Sequence, residues 1–186
     1  MNAAPAEVLA ARARAEELVS AAEIRKAVDQ VAVRMTVDLA QSNPVLISVL
    51  EGGLAFTGWL LKRLPFPLQT AYVHVGRYGD ETSGGQLRWH AKPTINLQDR
   101  CVIFIDDILD QGITLKHLRE WALAEGATEV KVAVLVDKQI PDARFRPIEA
   151  DYIGLQAPDR FLFGCGMDYR GSWRNLPAVY ALAADG

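Results

Sequence analysis

Several features that would assign this chain to particular classes of protein are scarce or absent. Its 186 residues include two cysteines and three histidines, all in separate segments, so neither a disulfide framework nor a zinc site is expected, and Cys101 and Cys165 are predicted to be packed thiols. A net charge of −3 argues against nucleic acid as a partner, because nucleic-acid binders normally carry a basic surface. No apolar run approaches the roughly 20 residues that a membrane-spanning helix needs. The composition therefore favours a globular protein with neither a nucleic-acid nor a membrane partner.

The amino-terminal segment and the lack of linkers indicate one cytoplasmic domain. Arg12, Arg14, Glu16 and Glu17 interrupt the apolar stretch that a signal peptide would need, so the cytoplasm is the expected location. No proline-rich linker divides the chain, and its length suits one domain with a substantial core. We expect residues 1–186 to form that single domain.

Two common nucleotide-binding motifs are missing. Gly-Lys-Ser and Gly-Lys-Thr do not occur, which excludes a Walker A phosphate loop. Gly164-Cys-Gly166 begins like a dinucleotide fingerprint, but Tyr169 stands where the third glycine is needed, and no helix is expected to follow. A Rossmann dehydrogenase is therefore disfavoured.

Hydrophobic periodicity predicts alternating helices and strands. Ser20 and Glu23 form a capping box at the start of one helix. Residues 77–87 include three glycines and few apolar side chains, and are expected to be a mobile loop or a hairpin. Short turns between the elements indicate an α/β protein whose mostly parallel sheet is covered on both faces. The predicted helices are 6–19, 20–41, 54–64 and 115–125; the predicted strands are 45–50, 70–75, 102–105, 130–136, 152–155 and 161–163, with an irregular tail beyond.

Residues 102–114 carry the most informative pattern. An apolar strand is followed by Asp106 and Asp107, then by Asp110 and Gly112, before Thr114 begins a helix. In an open α/β sheet, ligands bind beyond the carboxyl ends of the strands. A glycine-containing turn that leads into a helix offers N–H groups to a phosphate, and nearby carboxylates can hold sugar hydroxyls or magnesium. Paired aspartates alone could be a turn and a helix cap, but the whole spacing predicts a site for a phosphorylated sugar.

A second glycine turn, Glu51-Gly52-Gly53, lies between a predicted strand and a predicted helix. Glycines in such a turn can serve close packing, or they can expose N–H groups to a second anion. If the N–H groups of this turn bind an anion, the acidic cluster of Asp106, Asp107 and Asp110 lies between two anion sites. A ribose with a phosphate at one end and a pyrophosphate at the other fits that arrangement.

The segment 105–114 (IDDILDQGIT) resembles the phosphoribosyl pyrophosphate motif of type I phosphoribosyltransferases. The resemblance narrows to hypoxanthine-guanine phosphoribosyltransferases, because five further segments occur in that family's order. It implies a central, mostly parallel sheet flanked by helices, with a small hood formed by the terminal segments. It also implies transfer of the 5-phosphoribosyl group from phosphoribosyl pyrophosphate to a 6-oxopurine, hypoxanthine or guanine, in purine salvage. The five segments are 49–53 (VLEGG), 77–83 (RYGDETS), 135–138 (LVDK), 158–161 (PDRF) continuing through 164–169 (GCGMDY), and 174–177 (RNLP).

The resemblance assigns roles on the sugar-phosphate side of the site. Asp106 and Asp107 would hold the ribose hydroxyls and, through water, the magnesium cofactor. Asp110 would be the acid/base group beside the imidazole ring of the purine. The 5′-phosphate would be wrapped by the loop that begins at Asp110 and contains Gln111, Gly112, Ile113 and Thr114.

Further roles follow for the base and the pyrophosphate. Lys138 would donate to the 6-oxo group, Phe161 would stack on the purine, and the Leu162 backbone would read the purine edge. Asp168 would bind a magnesium ion on the pyrophosphate, and Arg174 would contact the pyrophosphate itself. Individually, Lys138 could instead be a solvated surface lysine, Phe161 a core aromatic residue, and Arg174 the partner of a surface carboxylate. The remaining assignments are the turn Glu51-Gly52-Gly53 on the pyrophosphate and Tyr78 at the hinge side of a loop, 77–87, that closes over the site.

Four positions depart from the common pattern of the family. Asp106 replaces a frequent glutamate, Gln111 a frequent threonine, Arg77 a usual serine, and Glu51 a common lysine. A carboxylate at position 51 would repel pyrophosphate, so it should turn away and find a cationic partner, which we expect on a neighbouring subunit. The resemblance also implies a cis Leu50–Glu51 peptide.

Two expectations concern partners. The enzyme should assemble as a homodimer or a homotetramer, with phosphoribosyl pyrophosphate and a purine base as its small-molecule partners. The alternative is a regulatory protein that binds nucleic acid and uses the phosphoribosyl site as a metabolite sensor. Such a regulator should have a basic face and could dispense with Lys138, Phe161 and Arg174, whereas this chain is acidic overall and has all three.

Overall fold

The structure is a computed structural model that describes residues 4–77, 87–141 and 146–182. The main sheet has the strand order β4-β3-β2-β5-β6-β7, in which β4 is antiparallel to β3 and the other neighbours are parallel. A smaller antiparallel sheet has the order β1-β9-β8. Within the described ranges the helices are α1 (Ala6–Arg14), α2 (Ala21–Leu39), α3 (Leu54–Leu61) and α4 (Ile113–Ala124), and the strands are β1 (Glu16–Val19), β2 (Val45–Leu50), β3 (Gln69–Arg77), β4 (Leu87–Ala91), β5 (Cys101–Leu109), β6 (Glu129–Gln139), β7 (Tyr152–Pro158), β8 (Leu162–Phe163) and β9 (Val179–Ala181).

The central strands are buried on both faces of the main sheet, as their continuous apolar sequences predict. Side chains alternate along β5, so that Ile103 packs in the cluster with residues of α2 and α3, while Phe104 packs in the cluster with Leu115 and Leu118 of α4. Both faces are therefore covered by helices, which confirms the α/β class.

The long helix α2 begins at the predicted capping box. The Ser20 hydroxyl accepts a hydrogen bond from the Glu23 N–H at 3.3 Å, and the Glu23 carboxylate accepts one from the Ser20 N–H at 2.9 Å. The buried face of the helix, which includes Val31 and Met35, packs against the sheet.

The prediction of a helix over 6–19 is wrong beyond Arg14. Residues Glu16–Val19 form β1, which pairs antiparallel with β9 from the other end of the chain. The Tyr180 hydroxyl donates to the Glu17 carboxylate at 3.0 Å, which strengthens this pairing. Because β1 and β9 lie far apart in the sequence, no local pattern in either segment predicts their pairing. For the same reason, the segment that forms β9 was expected to be part of an irregular tail. Together β1, β9 and β8 form the hood that the resemblance implies.

Other boundaries shift in ways that matter for the site. Strand β5 runs to Leu109 because its pairing with β6 continues to Asp137, so Asp106 and Asp107 lie within the strand and do not follow it. Helix α3 ends at Leu61, three residues before the predicted end. Most of the predicted loop 77–87 lies outside the described residues, although Arg77 at the end of β3 pairs with Leu87 at the start of β4.

Both cysteines are buried free thiols, as predicted. None of the helices in the described residues combines the length and hydrophobicity needed to cross a membrane.

Candidate active site

The predicted site residues converge at the carboxyl ends of β2, β5, β6 and β7. A cleft of about 610 Å³ opens there, at the position where ligands bind in open α/β sheets. The residues that the sequence singled out and that line this cleft are Glu51, Gly52, Asp106, Asp107, Asp110, Lys138, Phe161, Leu162, Asp168 and Arg174.

A smaller cavity of about 230 Å³ adjoins the cleft and is lined by consecutive residues from Asp106 to Leu115. Gly112 has a left-handed backbone (φ 76°), and a Cβ atom at this position would lie 2.8 Å from Cγ2 of Ile148. Helix α4 begins at the next residue, and no side-chain hydrogen bond caps its amino end. The first N–H groups of α4 and its positive dipole end therefore face a cavity of suitable size for a phosphate.

The acidic pair is crowded and poor in compensating positive charge. Asp107 is buried, Asp106 is partly buried, and the Asp107 N–H donates to the Asp106 carboxylate at 2.9 Å. Burial raises the pKa of Asp106 well above its usual range, and the negative charge of Asp107 raises it further. Burial likewise raises the pKa of Asp107, while the positive charge of Arg174 lowers the pKa of both groups. A cation that entered the cleft would stabilise both carboxylates in their ionised form.

The glycine turn after β2 is explained largely by close packing. A Cβ atom on Gly52 would lie 2.1 Å from the Asp107 carboxylate, and one on Gly53 would lie 2.2 Å from the Ile105 carbonyl oxygen. The Gly53 N–H donates to the Val49 carbonyl at 2.8 Å, so it is not free to bind an anion. Of the N–H donors expected for an anion site at this turn, that of Gly53 is therefore already occupied. The Leu50–Glu51 peptide is cis, as the resemblance implies.

Lys138 lies at the inner wall of the cleft with 15% of its side chain exposed, so it is not a solvated surface lysine. Its ammonium nitrogen is 2.8 Å from Oδ1 of Asp159 and 3.6 Å from Oδ2 of Asp110. The cation thus lies between two carboxylates, one of which is the predicted acid/base group.

The aromatic ring of Phe161 is 52% exposed and lines the cleft, so it is not a core residue. The edge contact that it makes with Tyr169, at 5.7 Å between ring centroids, orients the ring. Leu162 follows at the start of β8, where pairing with Ala181 fixes the backbone. This wall offers an open apolar surface for a planar ligand.

Arg174 connects three groups on the opposite wall. Its guanidinium donates to the Gly166 carbonyl at 2.7 Å, lies 2.7 Å from Asp168, and has Nε 3.4 Å from the Glu51 carboxylate. A cationic partner for Glu51 is therefore present in the same chain, and a further partner on a neighbouring subunit stays a prediction. The sequence could not reveal this pair, because the two residues lie on segments that only the fold brings together.

The Glu51–Arg174 pair should contribute little to substrate binding. The Glu51 side chain is 63% exposed, and such ion pairs stabilise by only about 0–1 kcal/mol. Arg174 keeps its contacts with Asp168 and Gly166 when the Glu51 carboxylate is removed. We predict that Glu51→Ala changes the KM for phosphoribosyl pyrophosphate by no more than a few-fold, as measured by initial rates. The matched control is Glu120→Ala, which removes an exposed ion pair on α4; a 50-fold change that is specific to Glu51→Ala would show that this carboxylate acts directly in binding.

Tyr78 lies outside the described residues. Asp159 was part of a matching segment but received no role, because the sequence alone gave no sign that its carboxylate meets Lys138. The signal that could have found it is its position directly after β7, the parallel neighbour of the strand that carries Lys138.

Comparisons with known proteins agree with this geometry. Residues 14–170 match the family described as the phosphoribosyl transferase domain. The hypoxanthine-guanine phosphoribosyltransferase of Streptococcus mutans is 37% identical over 169 residues, which cover 90% of this chain and 93% of the relative. That of Bacillus subtilis is 34% identical over 166 residues, with 89% and 91% covered. A crystal structure of a hypoxanthine phosphoribosyltransferase from Staphylococcus aureus aligns with a TM-score of 0.84 and 29% identity, covering 90% of this chain and 91% of the other.

Proposed function

We propose a set of residue roles for this chain from the premise that it belongs to the hypoxanthine-guanine phosphoribosyltransferases. The enzyme transfers the 5-phosphoribosyl group from phosphoribosyl pyrophosphate to a 6-oxopurine and releases pyrophosphate. One observation carries the assignment of roles: Asp110 lines both the phosphate cavity and the larger cleft, and lies 3.6 Å from Lys138. The acid/base group thus stands where a sugar phosphate and a base would meet.

On the sugar side, the loop from Asp110 to Thr114 holds the 5′-phosphate with its backbone N–H groups. The carboxylates of Asp106 and Asp107 accept hydrogen bonds from the ribose hydroxyls. Support comes from the cavity at the start of α4 and from the buried Asp107 and partly buried Asp106 beside it.

On the base side, the purine stacks on Phe161, its edge meets the backbone of Leu162, and Lys138 donates to its 6-oxo group. Support comes from the exposed ring of Phe161 and from the ammonium group of Lys138 in the same cleft. On the far wall, Arg174 and the backbone of Glu51 and Gly52 contact the pyrophosphate.

The reaction breaks the bond between the ribose carbon and pyrophosphate and forms a bond to a purine nitrogen. Its transition state resembles an oxocarbenium ion, so positive charge develops on the sugar. Asp110 accepts the proton from the purine nitrogen, and its negative charge stabilises the cationic sugar. Arg174 stabilises the negative charge that develops on the leaving pyrophosphate.

The acidic residues of the cleft suit magnesium. Carboxylate oxygens from Asp106, Asp107 and Asp168 are hard ligands of the kind that magnesium prefers, and the first two form a buried pair with little positive charge nearby. Over residues 4–77, 87–141 and 146–182, no group of three or more His, Cys, Asp or Glu side chains is arranged to hold a metal alone. Oxygen atoms of the substrate would add to the ligands that these carboxylates offer. When bound, magnesium neutralises and orients the pyrophosphate.

The direct test of this function is an assay of initial rates with hypoxanthine, guanine, xanthine, adenine and uracil, each with phosphoribosyl pyrophosphate. Activity with hypoxanthine or guanine supports the assignment, and activity with uracil alone contradicts it. The relatives described above are named as enzymes, and their names give no support to the regulatory alternative.

Base selection should depend on Lys138. With adenine bound, the buried ammonium donor of Lys138 would face an exocyclic amino group and would lack an acceptor. An unpaired buried donor costs about 1–3 kcal/mol, so hypoxanthine should be preferred to adenine by roughly 10- to 100-fold. We predict that Lys138→Met reduces this preference, measured as the ratio of kcat/KM for the two bases. Lys131→Met is the matched control, because Lys131 lies on the same strand and pairs with Glu129. An unchanged preference in Lys138→Met would contradict the role of Lys138.

Two properties stay predictions. The assembly is expected to be a homodimer or a homotetramer, which sedimentation or light scattering can measure. The cytoplasmic location is expected from the sequence and can be tested by cell fractionation.

A further inference from the structure

The carboxylate of Asp159 lies beside the amino group that the base would meet. Strand β7 is the parallel neighbour of β6, with Ala157 opposite Lys138 and Pro158 opposite Gln139. Asp159 comes directly after β7, within a turn that is closed by a hydrogen bond from the Arg160 N–H to the Pro158 carbonyl at 2.8 Å. This register brings the Asp159 carboxylate to 2.8 Å from the Lys138 ammonium.

The ion pair with Lys138 connects the Asp159 carboxylate to the cleft. In the part of the chain that the structure describes, Lys138 is the only cation within 4.0 Å of Asp159. The lining of the cleft includes Lys138, Arg160 and Phe161 but, over the same residues, not Asp159. An effect of Asp159 on the reaction would therefore pass through Lys138.

The positions of the two nearby carboxylates suggest how the three N–H donors of the Lys138 ammonium group can be used. A lysine ammonium has three N–H donors on a flexible stem and can adopt many positions. The ammonium nitrogen lies 2.8 Å from the Asp159 carboxylate and 3.6 Å from the Asp110 carboxylate, so two of its donors can be directed at these two groups. The third donor is left for an acceptor on a bound ligand, such as the oxo group of a purine.

We propose that Asp159 is a positioning residue, which fixes the Lys138 ammonium for the 6-oxo group of the base and holds it away from Asp110. The inference rests on the proposed role of Lys138. Without the Asp159 carboxylate, Asp110 is the remaining described carboxylate within 4.0 Å of the ammonium. Lys138 then moves toward Asp110, which misplaces the donor for the base and occupies the group that must accept the purine proton.

The test is a double-mutant cycle between Asp159→Asn and Lys138→Met, with hypoxanthine as the varied base. We expect Asp159→Asn to lower kcat/KM for hypoxanthine by about 10- to 100-fold, since a misplacement of about 1 Å can cost about 10²-fold, and to leave the KM for phosphoribosyl pyrophosphate unchanged. Asp159→Ala should lower it further, because asparagine still offers an oxygen acceptor to Lys138. In the Lys138→Met background, Asp159→Asn should have no further effect.

The outcomes separate the inference from its premise. If Lys138→Met alters base preference but the two substitutions reduce kcat/KM independently, Asp159 does not act through Lys138 and the inference is overturned. If Lys138→Met leaves the ratio of kcat/KM for hypoxanthine and adenine unchanged, the proposed role of Lys138 is contradicted, and the inference about Asp159 is overturned with it. Asp29→Asn is the matched control, because it removes an aspartate that pairs with Arg63 outside the cleft. A change in the KM for phosphoribosyl pyrophosphate equal to that for hypoxanthine would indicate a general structural effect and would also overturn the inference.

Discussion

Asp110→Asn is expected to lower kcat by about 10²- to 10⁴-fold, the usual effect of losing a positioned acid/base group, while the KM for phosphoribosyl pyrophosphate changes little. The amide keeps the size of the carboxylate but neither accepts the purine proton nor stabilises a cationic sugar. Steady-state rates with hypoxanthine, together with direct binding of phosphoribosyl pyrophosphate, separate the chemical step from binding.

A matched control is Asp99→Asn. Asp99 lies in the loop before β5 with φ 59°, a conformation that asparagine also adopts readily, and its N–H donates to Gly126. This variant should retain normal turnover. Near-normal turnover in Asp110→Asn would remove Asp110 from the chemistry and would leave its contact with Lys138 as a structural feature.

Removal of divalent metal is expected to abolish activity, and added magnesium should restore it. The reason lies in the charge of the cleft, where Asp106, Asp107 and Asp168 would meet a pyrophosphate group with Arg174 as their main cationic neighbour. Initial rates in excess chelator, followed by titration with magnesium, measure this dependence.

A second measurement tests where the metal ligands come from. Calorimetric titration should show weak magnesium binding to the protein alone and much tighter binding once phosphoribosyl pyrophosphate is present. Calcium at the same ionic strength serves as a control for simple charge screening. Full turnover in excess chelator would contradict the metal requirement.

Local patterns were sufficient where one continuous segment makes a feature. The predicted phosphate loop is such a case, because Asp110, Gly112 and the start of α4 follow one another in the chain and line one cavity. The capping box at Ser20 is another, since both of its hydrogen bonds join residues three positions apart.

Features that depend on pairing between distant segments were not predictable from periodicity. The extension of β5 through the acidic pair depends on its register with β6, and the pairing of β1 depends on a strand near the other terminus. The contacts of Lys138 with Asp159 and of Arg174 with Glu51 have the same origin. The family resemblance implied roles for single residues, but only the fold showed that these cations and carboxylates form ion pairs with each other.

The hood has a consequence for engineering this protein. Because β9 lies between β1 and β8, the backbone that begins at Leu162 in the lining of the cleft is supported, one strand away, by residues 16–19 near the amino terminus. A fusion or truncation that removes β1 would turn β9 into an unpaired edge strand, open to pairing with other chains. Since Glu16 at the start of β1 lies opposite Ala181 at the end of β9, a linker from the end of β9 to the segment before β1, with new ends in an exposed loop elsewhere, would preserve the hood. Circular permutation is therefore a more suitable design than trimming.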